Sequence, residues 1–85
     1  MDVPQATFLN FLKGLASQAM MQFGEIPNPL SGKREVNLPY ARYTVELLAV
    51  FEAKTRGNRD AEEERYLTDL LKDCQRRMQQ IEAQQ

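Results

Sequence analysis

Cys74, the Ser31-Gly32-Lys33 triplet, the carboxylates between Glu62 and Asp73 and the arginines around them are the residues whose types bear on chemistry. A cysteine nucleophile works as its thiolate, usually raised by a neighbouring histidine, and this chain has no histidine at all. The same absence removes the commonest general base and the commonest transition-metal ligand. Cys74 also falls on an apolar helical seam, where burial keeps a thiol protonated and the residue packs as a small hydrophobe. Ser31-Gly32-Lys33 invites comparison with a phosphate-binding loop. Gly24 is too far upstream for the spacing of its two glycines, however, and Arg34 stands where the magnesium-binding hydroxyl belongs. Glu62, Glu63, Glu64, Asp69 and Asp73 follow no calcium-loop pattern and lack its interleaved glycine. No cofactor or metal is expected, and the chain reads as non-enzymatic; a small hydrolase using tyrosine or carboxylates survives only on composition.

The basic residues Lys33, Arg34, Arg76 and Arg77 offer a different function, a nucleic-acid-associated accessory protein gripping phosphates. Acids interleave with them. Pairs four apart, Arg42 with Glu46, Glu52 with Arg56, Arg65 with Asp69 and Asp73 with Arg77, suit solvated helix faces and repel phosphates. Lys+Arg 11 against Asp+Glu 12 leaves a net charge of −1, so no chain-wide field draws the protein towards DNA, RNA or anionic lipid. Nucleic acid is therefore the secondary reading.

With 85 residues the chain makes one domain, and a domain this short buries only about 60% of the surface its unfolded form exposes. A single cysteine cannot build an internal disulfide and suits a reducing compartment. Met1-Asp2-Val3-Pro4 lacks the basic start of a signal peptide. The apolar stretch Phe8 to Phe23 is interrupted by Asn10, Lys13, Gln18 and Gln22 and falls short of the roughly 20 residues of a membrane span. Its polar side carries only Lys13, too little for a membrane-surface helix. The expected location is the cytoplasm.

These features sit on three helices in an all-α fold. Phe8, Leu12, Leu15 and Ala19 follow helical spacing from about Gln5 to Phe23, with Pro4 tolerated at the first turn and Gly24 as the stop. Gly14 either marks a close crossing beside Ala16, Ser17 and Ala19 or is an exposed, tolerated glycine. Residues 24–37 hold Pro27, Pro29 and Ser31-Gly32 and form a loop, from which Ile26, Leu30 and Val36 are expected to tuck against the helices. Asn37 caps a second helix from about Leu38 to Arg56, with Pro39 in its first turn and Gly57-Asn58 beyond its end. Asp60 and Glu63 have capping-box spacing for a third helix from about Ala61 to Ala83. The short second joint predicts antiparallel neighbours and hence a three-helix antiparallel bundle.

Leu67, Leu71, Cys74, Met78 and Ile81 recur at spacings of four, three, four and three, with Leu70 broadening the seam. At 1.5 Å per residue that helix is about 34 Å long against about 28 Å for the second, which predicts that Met78 and Ile81 overhang their own chain. Helix one also carries apolar residues over more than half its circumference. Two outcomes are open. Either helix one reaches along the seam and the tail frays, or a second copy or another protein covers helix one's second face and the end of helix three, with self-association into a larger helical bundle, most simply a homodimer, preferred. The expected interface is Leu9, Phe11, Ala16 and Met20 with Leu67, Leu71, Cys74, Met78 and Ile81. A loop element, Ile26, Pro27, Asn28, Pro29, Gly32, Lys33 and Arg34, is then presented to a partner, its prolines limiting the entropy lost on binding.

The order of motifs adds a resemblance. Gly24-Glu25-Ile26-Pro27-Asn28-Pro29, Gly32-Lys33, Glu35-Val36-Asn37-Leu38 and Lys54-Thr55 with Gly57-Asn58 precede an acidic helix start and a Leu-rich helix. Collinear from about Phe8 to Arg77, this resembles the bacterial family called domain of unknown function 1844. The resemblance implies a small bacterial protein and brings no activity, substrate or catalytic residue. Pro39 and Met78 depart from the helix former and the aromatic expected of relatives at those places.

Overall fold

The computed structural model describes residues 3–84, so Met1 and Asp2, used above against a signal peptide, lie outside the described residues. Three helices, α1 (Phe8–Gln22), α2 (Leu38–Lys54) and α3 (Ala61–Ala83), pack against one another, and no strand is present among the described residues. The fold is all-α.

α1 begins three residues later than its apolar period suggests because Thr7 takes the cap, its hydroxyl accepting the Asn10 amide at 3.0 Å. Asn10 in turn donates its side-chain amide to the Gln5 carbonyl at 2.9 Å, which holds the preceding turn in a non-helical form. At the other end Gly24 takes φ +78°. The Gly24 amide then donates to Met21 at 3.1 Å and the Glu25 amide to Met20 at 2.9 Å, the paired bonds of a Schellman stop. α2 starts at the expected Asn37 cap but ends two residues early. Both the amide and the hydroxyl of Thr55 donate to the Phe51 carbonyl, at 3.0 and 2.6 Å, closing the last turn there. α3 has the expected bounds and both halves of the capping box, the Glu63 amide on Asp60 at 2.8 Å and the Asp60 amide on Glu63 at 2.9 Å.

Leu12, Ala19, Phe23, Ala41, Leu48, Leu67, Leu70, Cys74 and Met78 form the core, with Leu15, Ala16, Met20, Leu71 and Ile81 half-buried against it. The overhang expected of α3 does not occur. Met78 is buried and Ile81 packs on the core, because the beginning of α2 and the end of α1 both reach α3's last turns: Arg42 faces Glu82 at 3.9 Å and Arg77 grips Glu25 at 2.9 Å. Gly14 settles as the exposed alternative, with nothing within 4 Å of where a Cβ would stand.

The molecule is flat. Its Cα atoms span 37 × 36 × 16 Å. The short dimension is about two helix layers.

Candidate interaction surface

The loop between α1 and α2 closes on itself. Phe23 and Val36 form an antiparallel bridge, and the Asn37 amide donates to the Gln22 carbonyl at 2.8 Å. Inside that neck the Asn28 side chain accepts the Leu30 amide at 2.8 Å, and the Asn28 backbone takes the Gly32 amide at 2.7 Å and gives its own to Lys33 at 2.8 Å. Gly32 supplies the positive φ, +72°, that the reversal needs, and the Ser31 hydroxyl donates to Glu35 at 2.6 Å. The tucking expected of this loop is corrected. Leu30 is 96% exposed and Ile26 and Val36 are exposed as well, since local hydrogen bonds rather than apolar burial order the tip.

Under the loop an open hollow of about 440 Å³ is walled mainly by Met21, Ile26, Pro27, Pro29 and Tyr40, with Ser17, Gln18 and Gln22 of α1 completing it. Tyr40 meets Tyr43 edge-on, with ring centroids 6.4 Å apart, and both rings are exposed. One and two turns further along α2 come half-buried Leu47 and exposed Val50. Phe11 of α1, also exposed, sits edge-on to Phe51 at 5.3 Å. Tyr40, Tyr43, Leu47 and Val50 share one face by their three-four-three spacing, so an apolar stripe continues from the hollow along α2.

Of the residues expected at an oligomer interface, Leu67, Cys74 and Met78 lie in the core of the single chain and are not free to meet a second one. Ala16, Met20, Leu71 and Ile81 are half-buried on the core, Leu9 is half-buried, and Phe11 alone is exposed. The reason is geometric: the seam of α3 faces both other helices. The stripe on α2 was missed because its period is also that of a core face; the available signal was that α2 is apolar on nearly every side.

The charged residues are largely committed. Arg76 and Arg77 both bind Asp73, and Arg77 also binds Glu25, leaving Lys33 and Arg34 as the members of the basic set without an ion pair among the described residues. Arg77 first and Arg76 second hold the Asp73 carboxyl below its ordinary range. Of the expected four-apart pairs, Glu52–Arg56 and Asp73–Arg77 form, whereas Arg42 turns to Glu82. Burial, reinforced by the Asp73 charge, pushes the Cys74 thiol up to about 11, so at neutral pH it carries no thiolate. Two buried polar features had no sequence signal: the Thr44 hydroxyl donates to Gln22 at 2.6 Å, and Arg59 binds both sides of the second joint. No described helix is long and apolar enough to cross a membrane.

No curated protein and no solved structure matches the chain. A family model described as Domain of unknown function (DUF1844) matches residues 5–80, nearly the whole chain, and the protein belongs to that family.

Proposed function

We propose that this chain is a non-enzymatic interaction protein of the cytoplasm that pairs with a second copy of itself through the outer face of α2 and the loop it adjoins. One observation carries the reading. The chain exposes 6117 Å², whereas a folded monomer of its 9.8 kDa is expected to expose about 5,200 Å². The surplus, about 900 Å², is close to the 800 Å² that each partner contributes to an interface of standard size. The exposed side chains include Phe11, Tyr40, Tyr43 and Val50, with aromatics of the kind that anchor interfaces.

The helices are read as antiparallel in succession, supported by α1's Phe11 lying on α2's Phe51 and α2's Arg42 facing α3's Glu82. The stripe of α2 is left uncovered by its own chain, with Tyr40, Tyr43 and Val50 exposed, and is open to a second copy. The nucleic-acid alternative keeps Lys33 and Arg34 but has Arg76 and Arg77 paired with carboxylates, which makes it the weaker reading.

Light scattering across a concentration series tests the proposal. A mass of two chains that Tyr43→Glu with Val50→Glu reduces to one, with helicity retained, supports it. A single-chain mass at high micromolar concentration overturns it.

A further inference from the structure

Leu30 is 96% exposed, and its position is built rather than loose. The Asn28 side chain holds its amide, the Gly32 and Lys33 bonds close the turn around it, and Pro27 and Pro29 stiffen the approach. A leucine kept in water gains nothing from burial within its own chain. Beside it, walled in part by its own neighbour Pro29, lies the apolar hollow of Met21, Ile26, Pro27 and Tyr40. Leu30 does not fill that hollow.

Resting on the dimer proposed above, we propose that the loop is an exchanged hook: Leu30 of each copy enters the hollow of the other. Three features favour a second copy as the occupant. A two-fold interface joins one patch to itself, so it requires a projection and its receptor on the same face, and the Pro29–Leu30 step puts them side by side. The surplus surface matches one side of a standard interface. The net charge of −1 leaves little self-repulsion to oppose pairing. A pre-ordered tip also loses little entropy on docking, the condition under which one small anchor contributes strongly.

Wild-type protein and Leu30→Asp and Leu30→Ala variants are compared by light scattering and sedimentation, with circular dichroism as a check on folding. So exposed a side chain has no part in the fold of the monomer, so helicity stays unchanged. The expected result is a wild-type dimer, a monomeric Leu30→Asp and a Leu30→Ala dimer weakened by roughly 30-fold or more. Mixing Leu30→Cys chains with Met21→Cys chains under mild oxidation should then link one of each. A wild-type dimer that survives Leu30→Asp overturns the hook and leaves the self-association reading standing. Cross-linking of Leu30→Cys only to itself, tip against tip, overturns it too. A wild-type monomer overturns both.

Discussion

A guanidinium only 5% exposed must find partners for its N–H groups, and Arg59 finds them on both sides of the joint between α2 and α3. Its Nη1 donates to the Glu52 carbonyl at 2.8 Å and its Nε to Glu64 at 2.9 Å, so one side chain ties the end of α2 to the first turn of α3. Gly14 is the opposite case, a residue that holds nothing. It lies in the interior of α1, exposed, with no atom within 4 Å of a built Cβ. Gly14→Ala should therefore stabilise the protein by about 1 kcal/mol, through helix propensity and a less free unfolded chain. Urea unfolding checks this, and an unchanged or lower midpoint refutes it. In the sequence Gly14 had two readings and Arg59 none, for one reason. What surrounds a residue depends on helices distant in sequence, whereas a helical period records only which side a residue is on.

Helix ends were legible where side chain and backbone are neighbours in sequence: Asn37, Gly24 and the Asp60–Glu63 box all act where spacing placed them. The start of α1 was not, since Pro4 and Thr7 both suit a helix entrance and only the Thr7–Asn10 bond decides. Along α3, Asp73 is held by Arg77 and then Arg76, and these bonds depress its carboxyl below the ordinary 3.8. Glu52 is lowered from 4.5 in the same way, chiefly by its bond from Arg56. A depressed folded value means the contribution is fully present above the unfolded value and is lost as pH falls through the folded one. Asp73→Asn should thus lower stability at neutral pH, by at most about 1 kcal/mol for a pair this exposed. Its deficit against the parent should vanish in acid. Thermal melts from about pH 7 to about pH 2.5 read this directly, and a deficit constant across that range contradicts it.

At the scale of the whole molecule, the sequence led to an expectation of exposed apolar residues on α1 and at the end of α3, whereas the larger exposed ones stand mostly on α2 and the loop. Comparing helix lengths assumed that α3 has one companion at its end; it has two, and they bury Met78 and cover Ile81. Tyr40, Tyr43 and Val50 of α2 are exposed instead, on a stripe with the same period as a core face. The resulting slab, 16 Å thin, has a radius of gyration of 13.6 Å, against about 12 Å for a compact chain of 85 residues. Such a shape exposes more surface than a rounder chain of the same length would. If pairing supplies part of the stability, mass action makes unfolding depend on concentration, because two folded chains are held together and unfolded ones are not. A hundredfold rise in protein concentration should then raise Tm by several degrees, given that about 1 kcal/mol moves a domain of this size by roughly 4 to 8 °C. The monomeric Leu30→Asp variant should melt at one temperature throughout, matching the dilute limit of the parent. Since Leu30 touches nothing within its own chain that holds the fold, a parent Tm equally indifferent to concentration would mean that the apolar face of α2 contributes nothing through pairing.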